Sequence, residues 1–509
     1  MNRNVIIAGS IAAVLVVAAV ILFIVRNGGE MTALAQLDAT ITAYSGSYED
    51  ASYDAAGDRL VVDGLVLHNY AVDADAEPLD LVEIGHLEVV GLARRNLANV
   101  FNGDDRQKIL SQLNATDLTF TEAGQAIHLE RLNLDDLVVV PLEQEIPLIG
   151  DSITRSQAIA QVLLTLHAGR AEILGFASPE LGPTGIRMDH LTVTDVTAGE
   201  VANLSLDGFR LWDHGQVGTV GDRLDLSGEH LEVSAIDLRQ PLQRMLANER
   251  VNFERQSDLP IFSTVDVDNI RVEEEGGTAI SIGSVMLRND DYIGAMPTAT
   301  TFAMEDFLIP LTSQLLEPAQ VQAITNLGYE ELIFNLAYRS DFDPTTGSFE
   351  ITGLTLGVEE MAELSLRFAL SDVPFTEEMT EMTAEALLES GYVTQVLENA
   401  KMGRGELRFR DHGMMQRAID QASAQQGQNP EEFLASVLIE LDGQRQAMAS
   451  SPEAVQAIDA LSSFLSNPGQ IALILNPEAP VPFSQVVVAT QINPVLLVEM
   501  FNLEVAASE

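Results

Sequence analysis

One pattern limits what this chain can fold into: short runs of alternating apolar and polar residues recur along most of it. Leu60-Val61-Val62-Asp63-Gly64-Leu65-Val66-Leu67 is one run, and Leu204-Ser205-Leu206-Asp207-Gly208-Phe209-Arg210-Leu211 another. Val265-Asp266-Val267-Asp268-Asn269-Ile270-Arg271-Val272 and Phe349-Glu350-Ile351-Thr352-Gly353-Leu354-Thr355-Leu356 repeat it. A period of two sends neighbouring side chains to opposite faces, which marks strands with one dry and one wet side. Closely spaced turn signals favour antiparallel meanders over crossover helices. Asp-Gly at 63–64 and 207–208 stands either in a tight turn or as a bulge bending one long strand. The expected fold is β-rich α+β: an elongated, curved antiparallel sheet with one apolar side, carrying helical insertions.

Helical stretches are expected at 97–113, 152–167, 241–253, 311–327 (broken or kinked by Pro318), 376–400, 414–426, 430–448 and 452–465. Pro430-Glu431-Glu432 and Pro452-Glu453 fit helix starts, with proline in the first turn and acids near the positive dipole end. Residues 30–44 extend a preceding helix or form a first strand. Strands return at 470–475 and 485–492, with a short helix at 494–501.

Residues 5–25 read VIIAGSIAAVLVVAAVILFIV, without a charge until Arg26. As a helix at about 1.5 Å per residue this run spans roughly 30 Å, the thickness of a bilayer's hydrocarbon core. A cleaved signal peptide has a shorter apolar region than this and a cleavage box close to its end; here the candidate box, Ala33-Leu34-Ala35, lies beyond Arg26. The run is therefore expected to be a retained N-terminal transmembrane helix with the N-terminus in the cytoplasm. The expected organisation is an anchor at 1–29, a β-rich lobe at 30–250, a second at 251–375, a helical insert at 376–467, and C-terminal strands with a short helix at 468–509.

Composition excludes several classes. Asp and Glu number 76 against 27 Lys and Arg, a formal charge of −49, with lysine only at 108 and 401. Such a chain does not hold nucleic acid or anionic headgroups by charge, because counterion release requires basic patches. No cysteine is present, which removes disulfides, thiolate metal sites and thiol catalysis.

No constellation points to catalysis, a metal or a cofactor, and the chain is expected to be non-enzymatic. The histidines at 68, 86, 128, 167, 190, 214, 230 and 412 sit mostly in alternating strands. Neighbours such as Asp189-His190 and Glu229-His230 then face opposite ways and make poor chelates. The stretch from Asp341 to Glu350 looks like a calcium loop, but its glycine falls seventh instead of sixth, so a hairpin turn is expected. Glu273-Glu274-Glu275-Gly276-Gly277 reads as a hairpin tip. Gly182-Pro183-Thr184-Gly185 and Gly403-Arg404-Gly405 read as isolated glycine turns without a phosphate-loop lysine. Methionines 361, 379, 382, 402, 414 and 415 cluster late in the chain, as core or as an adaptable apolar surface. Gly208 to Gly215 echoes Glu406 to Gly413, ending in Asp-His-Gly each time. Duplication would give two related lobes dividing near 240–260; shared turn chemistry is the other reading.

With the anchor, the Asp-Gly-punctuated strands and the helical interludes in view, the layout resembles AsmA-like and DUF945-like envelope proteins of Gram-negative bacteria. The resemblance implies an inner-membrane anchor, an elongated periplasmic sheet and a role in outer-membrane lipid homeostasis. The expected partners are the membrane and either a lipid, handled along the apolar side of the sheet, or an envelope protein bound through the helices at 376–467.

Overall fold

The computed structural model describes residues 46–70, 79–91, 107–122, 125–139, 163–178, 184–213, 224–247, 255–273, 279–294, 296–312, 316–376, 390–449, 451–492 and 495–508, with a few isolated positions between these runs. The expected anchor at 1–29 lies outside the described residues. Among those described, no helix is long and apolar enough to cross a membrane.

The architecture is β-rich, a 19-stranded antiparallel sheet with several helices. Two compact units divide the chain: residues 1–253 with 258–267, and 254–257 with 268–509.

In the first unit, strands follow one another as an up-and-down meander. They are β1 (Asp50–Asp54), β2 (Arg59–Tyr70), β3 (Leu79–Val90), β4 (Gln107–Glu122), β5 (Gln125–Val139), β6 (Leu166–Ala177), β7 (Thr184–Thr197), β8 (Glu200–Asp213) and β9 (Leu224–Asp237). Each pairs antiparallel with the next. Helix α1 (Arg239–Leu246) follows, with Pro241 in its first turn as expected. The expected helix at 97–113 is corrected by β4: from Gln107 onward Ile109, Leu110, Leu113 and Ala115 are fully buried strand residues.

The inward positions do not follow a strict period of two. On β4 they are Leu113, Ala115, Leu118 and Phe120; on β5, Leu129, Leu132, Leu134 and Leu137. Spacings of two and three alternate. The step of three falls at the same level on every strand, so cross-strand register is kept: Val62, Leu87, Ala115, Leu132, Ile173, Leu191, Leu206 and Leu231 form one continuous row across β2–β9. On alternate strands the step carries a residue in left-handed backbone, Gly64, Asp117, Gly175 and Gly208, with φ of 62°, 54°, 63° and 60°. Asp-Gly at 63–64 and 207–208 therefore lies inside long strands, not in tight turns. Gly208→Ala is expected to cost about 1–2 kcal/mol, the left-handed penalty of an L-residue, plus displacement of Asp189, whose Oδ2 would lie 2.4 Å from the new Cβ. Denaturant titration measures it.

The apolar face of this unit is dry from β2 to β6, with Val62, Leu87 and Ala115 at 0–1% exposure. It becomes half-buried at β7–β9, where Leu191, Leu206 and Leu231 lie.

β10 (Thr264–Glu273) spans the division between the units. The second unit continues with β11 (Ala279–Ile293), β12 (Met296–Pro310), α2 (Pro318–Asn326), β13 (Glu331–Asp343), β14 (Ser348–Val358), β15 (Ala362–Ser371), α3 (Tyr392–Asn399) and β16 (Lys401–Asp411). Then come α4 (Met414–Gln426), α5 (Pro430–Ala447), α6 (Pro452–Ser466), β17 (Gln470–Leu475), β18 (Val481–Pro482), α7 (Phe483–Ile492), α8 (Val495–Phe501) and β19 (Glu504–Ser508). Pro318 opens α2 instead of kinking a longer helix, with Glu317 and Gln320 forming a capping box. Asn429 and Ser451 cap α5 and α6 by accepting from the backbone N–H groups of Glu432 and Ala454.

Two expectations change here. Residues 376–467 are not a purely helical insert, because β16 lies within them, paired to β15 and β17. Of the expected helix at 376–400, Tyr392–Asn399 form α3 after Gly391 at φ 80° and Ala386 is helical, while residues 377–378, 380–381, 384–385 and 387–389 lie outside the described residues. The expected strand at 485–492 is helical, as α7, because Val486, Val487 and Val488 take a helix that tertiary context provides despite their β propensity.

Candidate functional site

In the second unit the register assembles two rows of apolar residues on one face. The first runs Leu287, Phe302, Tyr338, Leu354, Leu366, Leu407, Leu473 and Val505. The second runs Val285, Met304, Leu336, Leu356, Leu364, Phe409, Ile471 and Ala507. Eight strands at about 4.8 Å spacing make each row roughly 34 Å long. None of the sixteen residues is buried, and Leu356, Leu364 and Leu407 stand 41%, 42% and 38% exposed. Among the described residues, both buried hydrophobic clusters lie in the first unit.

At one end of this face sits an apolar cavity of about 250 Å³, lined by β15, β16, β17 and the first residue of α7. Phe464 of α6, itself 5% exposed, meets Phe409 edge-on at 5.9 Å. Gly403-Arg404-Gly405 is therefore no turn. It lies mid-strand in β16, and Gly405 borders the cavity.

The wet face of the first unit carries a ladder of acids and histidines. Glu172 Oε1 lies 2.9 Å from His190 Nε2, and Asp207 Oδ2 lies 3.4 Å from His190 Nδ1. His230 Nδ1 donates to Asp207 Oδ1 at 2.6 Å, and Glu232 lies 3.8 Å from its Nε2. His86 and Asp63 repeat the pairing at 2.6 Å. The expectation that Asp189 and His190 face opposite ways fails, because both fall in the three-residue step between Met188 and Leu191 and lie on the wet face. Asp189 accordingly meets Arg187, while His190 meets Glu172 and Asp207. Among the described residues no group of three or more acids and histidines is arranged to hold a metal.

The hydrogen bond to Asp207 holds the His230 imidazole above its usual range, against the opposing effect of burial. The Asn133 amide holds the Glu172 carboxyl below its usual range, again against burial. The raised His230 contributes stability that is full below its unfolded pKa and fades as pH rises through the folded one. Glu172 contributes above its unfolded pKa and loses this as pH falls through its depressed one. Asp207→Asn is expected to return His230 toward the ordinary imidazole range; proton NMR titration of the imidazole checks this.

The remaining candidates resolve individually. His68 is exposed on β2, His128 Nδ1 lies 3.4 Å from Thr119 Oγ1, His167 Nδ1 lies 2.6 Å from Thr197 Oγ1, and the His412 amide donates to Met361 O. His214 and residues 274–278 lie outside the described residues. The stretch from Asp341 to Glu350 is a hairpin: Asp343 accepts from Thr345 N and Thr346 Oγ1, and Gly347 turns at φ 65°. Asp411 accepts from the amides of Gly413 and Met415, so Asp411-His412-Gly413 shapes the entry to α4. Thr184 and Gly185 open β7. Met402 borders the cavity, and Met414 and Met415 begin α4.

Sequence reasoning found the alternation but missed the cavity, because its walls come from three strands and a helix more than a hundred residues apart at the extremes. The signal available was Gly405, a side-chain-free position on the apolar side of a strand. A family model described as "Uncharacterized protein" matches residues 355–508, a stretch that contains every residue lining the cavity. No curated protein matches the chain.

Proposed function

We propose that this chain is a non-enzymatic, single-pass protein of the bacterial envelope that binds lipid along the apolar face of its C-terminal unit. Residues 5–25 anchor it in the inner membrane, with the N-terminus cytoplasmic and the bulk of an elongated, curved sheet in the periplasm. The observation that carries the lipid reading is that sixteen apolar positions line up in two rows and none is buried. A monomeric soluble domain rarely leaves so continuous an apolar surface without an occupant. Covering it gains about 25 cal/mol per Å² of apolar area removed from water. The absence of ionisable side chains from both rows, Tyr338 aside, favours hydrocarbon over a charged occupant.

The test is organic extraction and mass spectrometry of the purified full-length protein, beside a Leu364→Glu/Leu407→Glu variant. The wild type is expected to carry lipid that the variant lacks; equal lipid in both, or none in either, refutes the reading.

A second reading has its own observation. Helix α5 buries none of its residues, and Ile439 is 73% exposed. This suits a scaffold that binds an envelope protein through α4–α6. Ile439→Asp would then abolish co-purification of that partner while the sheet stays folded.

A further inference from the structure

The lipid reading leaves open where along the face a bound chain ends, and the inference here rests on that reading. Alternation along β16 puts Gly405 on the side of Leu407 and Phe409, whereas the register shift between Phe368 and Leu370 turns Gly403 off that side, toward Ala369. Gly405 does not have positive φ, so the backbone does not require a glycine there. Its consequence is spatial. Gly405 is buried opposite Phe368 of β15 and Leu475 of β17, and the missing side chain leaves the hollow of about 250 Å³. A Cβ there would stand 3.2 Å from Leu475 Cδ1, so a larger side chain would project into this space.

The hollow is walled on the far side. Phe483 closes it where α7 begins, fixed by a hydrogen bond from its amide to Ala400 O at 3.0 Å. Phe464 of α6 covers Phe409 beside it. Toward β14 it is continuous with Leu366 and the exposed row beyond. The two charged residues at its border, Arg367 and Glu406, alternate with Leu366, Phe368, Gly405 and Leu407 and so belong to the other face of their strands, where Glu406 pairs with Arg408. A site apolar on every wall, blind at one end and continuous with an apolar floor at the other suits the uncharged terminus of a chain. We propose that the Gly405 hollow receives the methyl end of a lipid acyl chain whose remaining length lies over Leu366 and Leu354.

The experiment uses full-length protein and two palmitic acid analogues, one with a diazirine at the terminal carbon and one with it at mid-chain. Photo-cross-links are mapped by peptide mass spectrometry. The terminal probe is expected to label residues 402–407 and 473–483, and the mid-chain probe residues 354–366. Gly405→Leu is expected to cut terminal-probe labelling of the hollow about tenfold, the factor given by losing two methylene contacts, with Gly405→Ala retaining most of it. Mid-chain labelling of the hollow, or unchanged terminal labelling in Gly405→Leu, overturns the end-seat while leaving lipid binding intact. Absence of any label on the apolar face of β11–β17 overturns the lipid reading itself.

Discussion

Leu113→Ala is expected to destabilise the first unit by about 2–5 kcal/mol, while the chemically identical change Leu364→Ala alters the second by no more than about 0.5 kcal/mol. Leu113 is 0% exposed at the centre of β4, paired to Val89 and Leu134 on either side. Truncating it removes transfer energy and leaves a cavity that a close-packed sheet face cannot collapse. Leu364 is 42% exposed, so water already touches much of what alanine would remove. Denaturant titrations of both variants, read separately on the two transitions, measure the contrast. Similar losses in both units would mean that the second face is dry in solution, and the lipid reading would lose its support.

Removing Asp258 is expected to cost as much by a different route. Its side chain is 0% exposed, and Arg244 Nε of α1 lies 2.9 Å from Oδ1. The pair joins α1 to the segment leading into β10, near the division between the units. Breaking such a pair from one side leaves a buried charge uncompensated, which costs about 3–5 kcal/mol. Asp258→Ala should therefore unfold the first unit at markedly lower denaturant. The double replacement Arg244→Met/Asp258→Leu, which removes both charges, should recover most of the loss. If the single and double variants are equally stable, the pair holds nothing in place.

Much of the sheet was readable because burial of one face writes a short period into each strand. The runs at 60–67, 204–211 and 265–272 all became strands, and Pro430-Glu431-Glu432 and Pro452-Glu453 marked helix starts, whose caps the structure places one residue earlier at Asn429 and Ser451. Residues 485–492 misled because three consecutive valines favour a strand only where a neighbouring strand is free to pair. Residues 107–113 misled because Lys108-Ile109-Leu110-Ser111-Gln112-Leu113 has apolar spacing that suits a helix as well as a strand. The pairing of Asp189 and His190 on one face was invisible without knowing that Gly208, on the neighbouring strand, and Gly175 take left-handed backbone at the same level.

The amino-acid order by itself determined that this protein is a β-rich meander with one apolar side, since side-chain alternation is a property of single strands. Only the tertiary structure decided which part of that side is sealed and which is exposed. Coverage depends on what distant segments pack against it: Val62 and Leu364 belong to the same kind of pattern, yet one is dry and the other wet. The hollow at Gly405 was likewise decided in three dimensions, because a missing side chain becomes a site only when Phe368, Leu475 and Phe483 are brought around it.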